Sequence, residues 1–516
     1  MLLDGATRPS DQLLGHPKGL FILFFAEMWE RFSYYGMRAL LTLYLTKHML
    51  FGDEQAALIY GSYTSLVYAV PVLGGLIADR YLGFRKAVTL GAILLVAGHF
   101  GMAFEGSPAS QLISDQGDLS VQRDPLYEQI FYLSLALIIV GVGFLKPNIS
   151  TIVGRLYATE DPRRDSGFTI FYMGINVGAL VATLLCGYLG ETYGWKYGFG
   201  LAGIGMLFGL ATFQWGQPFL QGHAEPPDEE LLQERLIAGI SREWLIYLGA
   251  ILGVVAAWQV VQRSGELGMA LSVFGGVIVA WFIWFSLNKC DAVERDRMLV
   301  MLVLIVVSVL FWALFEQAGT SLTLFTDRNV TMGTMFTASM FQSFNPLFII
   351  ILAPLFALLW VTLSKWGLEP STPAKFGLGI VQVGLGFAVL VFGAAQAGPD
   401  GKVAVIWLVL MYLLHTTGEL CLSPVGLSMV TKLSVSRVAG MMMGVWFLSA
   451  SFAAYAAGLI AGETAIENHG EEAIDPLMSL SVYTGVFEQL ALVALIMGAV
   501  VLACSPYLHR RMHDIH

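Results

Sequence analysis

Charged residues are scarce in this sequence. Asp, Glu, Lys and Arg make up 13% of its 516 residues, whereas hydrophobic residues make up 56%. Soluble globular domains carry about 25% charged residues. A soluble protein of this length would need a charged surface over several domains, and the residues for such a surface are lacking. The composition therefore indicates an integral membrane protein.

Basic clusters and paired cysteines are also lacking. Lys and Arg number 28 against 38 Asp and Glu, and no basic cluster alternates with aromatic residues. Nucleic acid is therefore excluded as a partner. The four cysteines, Cys186, Cys290, Cys421 and Cys504, lie far apart, which fits neither a disulfide framework nor a metal or redox pair. Residues 1–17 lack the features of a signal peptide, so we expect no cleavage there.

Three motifs of common enzymes and ATPases are missing as well. The sequence has no HExxH zinc motif, no GxSxG nucleophile turn and no phosphate-binding P-loop. An enzyme is therefore not expected, and neither is a bound metal or cofactor. Without an ATP site, uphill transport would have to use an ion gradient.

Long apolar windows recur along the whole chain. A spanning helix needs about 20 apolar residues. Twelve uncharged windows are bounded by charges or turn residues: 55–78, 87–104, 129–145, 166–190, 197–224, 244–262, 267–288, 298–315, 376–399, 403–418, 438–462 and 489–509. Residues 329–364 contain Pro346 and Pro354 but no charge, which predicts one long, tilted or kinked helix. With residues 19–46, which hold four ionised groups, the sequence predicts an all-α membrane protein with fourteen transmembrane helices.

One extended polar segment, 225–243, divides these helices. Its acidic and leucine residues predict a short amphipathic cytoplasmic helix. Six spans precede it and eight follow, which fits two six-helix bundles with an inserted pair, and two-halved transporters bind substrate between their halves. We predict an N-terminal bundle at 1–218, a linker at 219–243, the inserted pair at 244–290 and a C-terminal bundle at 291–516. The Lys and Arg distribution predicts that both termini lie in the cytoplasm, and we expect the protein to lie in the cell (inner) membrane.

The first predicted helix carries a polar stripe. Its members are spaced by three, four, seven and eleven residues from the first: Glu27, Glu30, Arg31, Tyr34 and Arg38. At about 100° per residue they share one face, which must point to the protein interior, with Tyr35 beside it. A simpler alternative is that Glu27 and Arg31 only form a structural ion pair along the helix.

Other ionisable and polar residues lie within apolar windows. Lys146, Glu316 and Glu419 bring the buried acids to four and the buried bases to three, and an unpaired acid in a low-dielectric cavity tends to hold a proton. Further polar residues in these windows are Tyr68, Tyr172, Asn176, Asn345, Ser423 and Trp446. Any one of these could simply bond two helices together. Jointly they match a zwitterion, with Arg31 and Lys146 for a carboxylate, and Glu419 and the two Asn carbonyls for an ammonium.

Three segments point to a known family. Glu27-x-x-Glu30-Arg31-Phe-Ser-Tyr34-Tyr35-Gly36 resembles the ExxERFxYYG motif of the proton-dependent oligopeptide transporters (PTR2/POT), within the major facilitator superfamily. GGLIADRYLGFRKAV at 74–88 resembles the loop signature of that family, and FYMGINVGAL at 171–180 resembles its FYxxINxGSL signature. Bacterial members commonly carry two extra helices between the halves, which 244–288 resembles.

The resemblance implies symport of di- and tripeptides with protons by alternating access. It implies that Arg31, Tyr35 and Lys146 engage the peptide carboxylate, and that Asn176, Asn345 and Glu419 engage its amino terminus. It places in side-chain pockets Tyr34, Tyr68, Tyr172, Ser423 and Trp446. It assigns proton coupling to Glu27, Glu30, Arg31, Lys146 and Glu316. As gates it pairs Arg38 with Glu316 and Lys146 with Glu419, and Asp79 and Arg80 would brace the cytoplasmic loop.

Departures from the family pattern and alternative functions also follow from the residues. The second helix, 55–78, lacks the histidine that some members use as a proton relay, Phe315 stands where relatives often have a second acid, and Ala179 replaces Ser. One alternative is a major facilitator carrier for nitrate, a sugar or a drug, although an anion would have no use for Glu419. Another is a non-transporting peptide receptor, which would bind peptides without flux.

Overall fold

The computed structural model describes residues 12–113, 119–158, 160–236, 239–466, 474–513 and 515. Its helices are α1 (Lys18–Lys47), α2 (Asp53–Ile77), α3 (Phe84–Met102), α4 (Pro125–Arg155), α5 (Arg164–Tyr193), α6 (Trp195–Gly216), α7 (Glu229–Gln233), α8 (Arg242–Val261), α9 (Ser264–Lys289), α10 (Ala292–Phe315), α11 (Ser321–Asn329), α12 (Phe344–Lys365), α13 (Thr372–Ala394), α14 (Val405–Leu433), α15 (Ala439–Gly462) and α16 (Pro476–Arg511).

Strands are few and short in the described residues. β1 (Gln12–Leu13) pairs antiparallel with β2 (His16–Pro17), β3 (Ser110–Ile113) antiparallel with β4 (Leu119–Gln122), and β5 (Val330–Thr331) parallel with β6 (Val403–Ala404). The remaining short pieces are a π-helical turn, Ala78–Leu82, and the 3₁₀ segments Gln217–Leu220, Glu316–Gly319, Ala338–Ser343 and Ser436–Val438.

The described part of the chain has thirteen helical segments that are long and apolar enough to cross a membrane. One of them joins α10 and α11 through the 3₁₀ segment Glu316–Gly319. Helix α1 adds a fourteenth of sufficient length, with 30 residues, and holds four acidic or basic side chains between its terminal residues Lys18 and Lys47. The predicted all-α membrane protein with fourteen spans is confirmed.

One predicted helix is wrong. Residues 329–364 do not form a single kinked helix, because Val330–Thr331 is a strand and α12 begins only at Phe344, after the 3₁₀ segment Ala338–Ser343. An uncharged segment is not necessarily helical, and here residues that include glycine and threonine precede α12. Pro346 lies in the first turn of α12, where a missing N–H breaks no intrahelical bond, so it does not kink the helix.

Several helices are longer than the predicted windows. α4 continues beyond Lys146, α14 continues beyond Glu419, and α16 begins twelve residues before Glu488. The windows ended at these charges, whereas the backbone hydrogen-bond ladder passes through them. Both α4 and α16 begin with an Asp-Pro pair, in which Asp124 or Asp475 accepts from the N–H two residues on and proline occupies the first helical position.

Contacts group the chain into two units. The first contains Met1–Leu41, Leu66–Pro108 and Arg123–Gln262, and the second Thr42–Ser65, Ala109–Gln122 and Arg263–His516. In the first unit α3 packs on α4 and α6, α5 on α6, and α8 on α4. In the second α13 packs on α14 and α16, α10 on α15, and α9 contacts α10 and α15. The predicted boundaries of bundles, linker and inserted pair stay a prediction.

Glycines of α5 allow α1 to approach closely. A Cβ on Gly178 would lie 2.3 Å from the carbonyl oxygen of Met28, and a Cβ on Gly174 would lie 2.9 Å from the ring of Phe24. The two glycines are one helical turn apart and share one face. Small residues permit such backbone contact between membrane helices. The glycines of the FYMGINVGAL segment therefore have a packing role.

The polar segment after α6 lies against the first turn of α3. Arg85 pairs with Glu225 through two guanidinium nitrogens, at 2.8 Å from Nη2 and Nε, and Lys86 pairs with Glu243 at 2.9 Å. The predicted amphipathic helix is present as α7, with Leu232 buried, but has only five residues. Asp79 and Arg80, which the resemblance suggested as braces, are both exposed, and the observed ion pairs come from Arg85 and Lys86 instead.

We expect Gly178→Ala to lower the thermal stability of the protein, because the new methyl group would overlap the Met28 carbonyl. Overpacking of this kind costs about 1–3 kcal/mol. The matched control is Gly276→Ala in α9, where a Cβ meets nothing within 4 Å and helix propensity favours alanine. Thermal unfolding in detergent measures both variants. Equal stability of the two would contradict the close contact of α1 and α5.

Candidate functional site

Arg31 forms ion pairs with two carboxylates of its own helix. Its Nε lies 3.0 Å from Oε1 of Glu27 and also contacts the carboxylate of Glu30. All three side chains are buried, with exposed fractions of 3% for Glu27 and Arg31 and 0% for Glu30. One buried cation is thus paired with two buried anions. The part of α1 that contains Glu27, Glu30 and Arg31 therefore carries an excess of negative charge.

Two tyrosines of α1 lie beside its cations. The Arg31 guanidinium carbon is 5.5 Å from the ring centroid of Tyr34, and that of Arg38 is 5.8 Å from the centroid of Tyr35. Contacts of this kind stabilise a desolvated cation by about 0.5–2 kcal/mol. Tyr34 is buried and Tyr35 is partly accessible. The stripe predicted from spacing is therefore a continuous set of contacts along α1.

Lys146 of α4 joins this cluster. Its Nζ lies 4.7 Å from the ring centroid of Tyr68 in α2. Lys146 is also close enough to α1 to be repelled by Arg31 and attracted by Glu30 and Glu27. The approach of α2 to α4 depends on glycine, since a Cβ on Gly74 would lie 2.1 Å from the carbonyl oxygen of Gly143. The first unit therefore gathers two acids, Glu27 and Glu30, and three bases, Arg31, Arg38 and Lys146, from α1 and α4.

Two further predicted residues of the first unit lie on α5. Asn176 is buried and its Nδ2 donates to the backbone carbonyl of Tyr172 at 3.1 Å, within the same helix. The Tyr172 side chain is 44% exposed. Both residues therefore lie on α5, whereas their contact with a ligand stays a prediction.

In the second unit, Glu419 of α14 is bound by a neutral amide. Asn345 of α12 donates from Nδ2 to Oε2 of Glu419 at 2.8 Å and to the Thr416 hydroxyl at 3.2 Å. Glu419 is 8% exposed and Glu316 is 6% exposed, and the two carboxylates are close enough to repel each other. This site differs from the first, because its carboxylate is held by an uncharged donor.

Glu316 lies where the helical ladder between α10 and α11 is interrupted. The 3₁₀ segment Glu316–Gly319 frees backbone groups, and Gln317, which is fully buried, helps to satisfy them. Its Nε2 donates to the carbonyls of Ala313 and Ala457 at 3.1 and 3.0 Å, and its Oε1 accepts from Ser321 at 2.6 Å. Irregular backbone at membrane depth is tolerated only where such partners exist.

Ser423 and Trp446 complete the predicted set. Trp446 of α15 packs on α14 at Gly426, where a Cβ would lie 2.5 Å from the indole ring. Ser423 is exposed on α14. A ligand role for either residue stays a prediction.

Sequence reasoning missed two features of the second unit. Arg328 pairs with Asp53 through both guanidinium ends, at 2.6 and 2.8 Å, and also donates to Tyr483 at 3.0 Å. The sequence pattern does not connect Asp53 with Arg328, because no spacing rule joins residues so far apart. Thr416 was missed because threonine is common in apolar helices, although its i, i+3 spacing to Glu419 was visible.

Among the described residues no group of three His, Cys, Asp or Glu side chains is placed to bind a metal ion.

Many spanning helices with buried ionised side chains define a polytopic membrane carrier. Comparison with known proteins identifies its family, because the profile of the POT family (PTR2) matches residues 85–472. The chain belongs to this family, as predicted, and has its major facilitator fold. Its relatives are transporters, which confirms the prediction that it is not an enzyme.

Individual relatives cover almost the whole chain. The uncharacterized transporter YclF of Bacillus subtilis (strain 168) is 39% identical over 98% of this chain and 97% of its own length. Peptide transporter YePEPT of Yersinia enterocolitica subsp. palearctica is 38% identical over 87% and 88%. A crystal structure of a mutant peptide transporter POT in complex with alafosfalin has a TM-score of 0.81 and 36% identity, with 99% of each chain covered.

We expect Arg31→Met to lower the melting temperature strongly. The substitution leaves Glu27 and Glu30 buried without their shared cation, and breaking a buried ion pair costs about 3–5 kcal/mol. The triple variant Glu27→Gln, Glu30→Gln, Arg31→Met removes all three charges and should recover much of that loss. Thermal unfolding in detergent compares the three proteins. A triple variant less stable than Arg31→Met would show that the ion pairs do not carry the effect.

Proposed function

We propose that this protein is a proton-coupled symporter that imports di- and tripeptides. The observation that carries the proposal is the sharing of Arg31 by two buried carboxylates, with Lys146 close by and Glu419 bound by Asn345 in the second unit. Family membership supports the coupling to protons. The name of YePEPT and the peptide transporter bound to alafosfalin support a peptide substrate.

In this proposal the two ends of the peptide bind different groups, the carboxylate to cations and the ammonium to hydrogen-bond acceptors. Arg31, Tyr35 and Lys146 would bind the terminal carboxylate, since guanidinium and ammonium groups form charge-assisted bonds with it. Asn345 and Glu419, with Asn176, would bind the terminal ammonium. The proposed side-chain pockets contain Tyr34, Tyr68, Tyr172, Ser423 and Trp446.

Coupling would follow from competition for Arg31. When Glu30 takes up a proton it no longer attracts the guanidinium, so Arg31 can turn to a peptide carboxylate. Loss of that proton on the other side would restore the ion pair and favour release. One proton moving down about 100 mV yields about 2.3 kcal/mol, and one pH unit adds about 1.4 kcal/mol. Together they suffice for accumulation of roughly a few hundredfold.

Gating is proposed for two pairs of residues far apart in the sequence, Arg38 with Glu316 and Lys146 with Glu419. Alternation of the bundles 1–218 and 291–516 would make and break these pairs in turn. Protons are the only coupling species that the proposal requires, and the membrane provides their gradient.

A matched pair of glutamate variants tests the proposed function in proteoliposomes with labelled dialanine. We expect the wild-type protein to accumulate the peptide only with a pH or voltage gradient. Glu30→Gln should abolish accumulation but retain counterflow exchange, because a glutamine cannot carry the proton yet leaves the peptide site present. The control is Glu160→Gln, since Glu160 is exposed in a loop. Gradient-independent accumulation by the wild type, or unchanged coupling in Glu30→Gln, would refute the mechanism.

We propose further that the protein is a multi-pass inner-membrane protein with both termini in the cytoplasm. In a cysteine-free background, a membrane-impermeant maleimide applied from the outer side should label Arg263→Cys, in the turn between α8 and α9, because that turn is predicted to be external. Glu229→Cys, at the start of α7, should be labelled only after the membrane is opened. The reverse pattern would overturn the orientation.

A further inference from the structure

The hydroxyl of Thr416 contacts the amide that binds Glu419. Thr416 lies on α14 one turn before Glu419 and is fully buried, with 0% exposed. Its oxygen is 3.2 Å from Nδ2 of Asn345, and Oε2 of Glu419 is 2.8 Å from the same nitrogen. The two acceptors therefore receive the two hydrogens of one amide nitrogen.

The hydrogen of the Thr416 hydroxyl is already used. It is donated to the backbone carbonyl of Tyr412 at 2.7 Å, so Thr416 presents only lone pairs to Asn345. If the amide of Asn345 turned by 180°, its carbonyl oxygen would face the lone pairs of Thr416 and the carboxylate of Glu419. Three acceptors would then be opposed without a hydrogen between them. Thr416 and Glu419 together thus fix which way the amide points.

The fixed orientation leaves the carbonyl oxygen of Asn345 as its remaining polar group. Asn345 is partly accessible, whereas Thr416 is not. An amide oxygen and a carboxylate oxygen on two side chains in contact suit an ammonium group, which has three donors and no acceptor. The hydroxyl of Thr416 is too deeply buried to bind the ligand directly. Its effect must pass through Asn345.

We propose that Thr416 is a positioning residue that sets the preference for substrates with a free amino terminus. The proposal rests on the proposed function, in which Asn345 and Glu419 bind the peptide ammonium. Without the Thr416 oxygen, Asn345 retains one bond to Glu419 but loses the second acceptor that holds its amide in place. The carbonyl oxygen of Asn345 then faces the ammonium group for a smaller part of the time. The gain in affinity that a substrate obtains from a charged amine therefore decreases.

Thr416→Val tests this proposal, because valine keeps the shape of threonine but has no oxygen. Competition against labelled dialanine uptake gives inhibition constants for dialanine and for propionyl-alanine, the same molecule without its amine. We expect the affinity for dialanine to fall about three- to tenfold, the usual effect of one hydrogen bond, while that for propionyl-alanine stays unchanged. The maximal uptake rate should change little.

Two further variants separate positioning from packing. Thr416→Ser retains the oxygen and should restore the wild-type ratio of the two affinities. Thr417→Val is the matched control, because Thr417 is the next residue on α14 and its hydroxyl donates only along the helix, to the Leu414 carbonyl at 3.0 Å. It should leave the ratio unchanged. Should Thr416→Val fail to fold, as judged by thermal unfolding, Thr416→Ala provides the same measurement.

The outcomes separate this proposal from the proposed function. An equal loss of affinity for both compounds, or a wild-type ratio in Thr416→Val, would overturn the role of Thr416 while peptide transport stands. A wild-type protein that takes up no dialanine would instead refute the proposed function, and the substrate assignment of Thr416 with it. A selective loss that serine repairs would support both.

Discussion

The rest of the structure depends on the burial of Arg31 between Glu27 and Glu30. Several kcal/mol are needed to remove each ion from water, and only close pairing repays this cost. One guanidinium cannot fully compensate two carboxylates, and Lys146 of α4 brings a further positive charge near them. The apolar residues around the stripe hold α1 in the protein interior, and the stripe in turn forbids α1 from facing lipid. The charges of the stripe therefore require α1 to lie in the interior, and this position in turn keeps the charges away from lipid.

Close helix contacts make this burial possible. Within a bilayer the hydrophobic effect does not drive helices together, and van der Waals contact between small residues takes its place. Gly178 lets α5 approach α1 beside Met28, and Gly74 lets α2 approach α4 at Gly143, near Lys146. The glycines thus lie beside the charged cluster rather than at random. A segment such as FYMGINVGAL is informative because its glycines shape the wall of a site, although they carry no functional group themselves.

The helices and the polar stripe could be predicted because both depend on local periodicity. The stripe follows from 100° per residue, and the spans follow from hydrophobic length. Prediction failed where structure depends on partners distant in sequence. Val330 joins a strand because Val403 pairs with it, and α14 passes through Glu419 because Asn345 compensates the carboxylate. The Asp53 and Arg328 pair was hidden for the same reason. A charge ends a predicted window, whereas in the folded chain its partner lets the helix continue.

The buried carboxylates of the two units have different kinds of partner, and this difference bears on which charges a ligand should carry. In the first unit Arg31 is paired with Glu27 and Glu30, so in the proposed function a peptide carboxylate would replace Glu30 at Arg31 only after that acid is protonated. In the second unit Glu419 is held by a neutral amide, which satisfies one oxygen without cancelling the charge. In the proposed function, this carboxylate would bind the ammonium group of the peptide. In the proposed function, the first arrangement would bind the carboxylate of a peptide and the second its ammonium group. The contrast between the ion-paired and the amide-bound carboxylates therefore supports the zwitterionic substrate of that proposal.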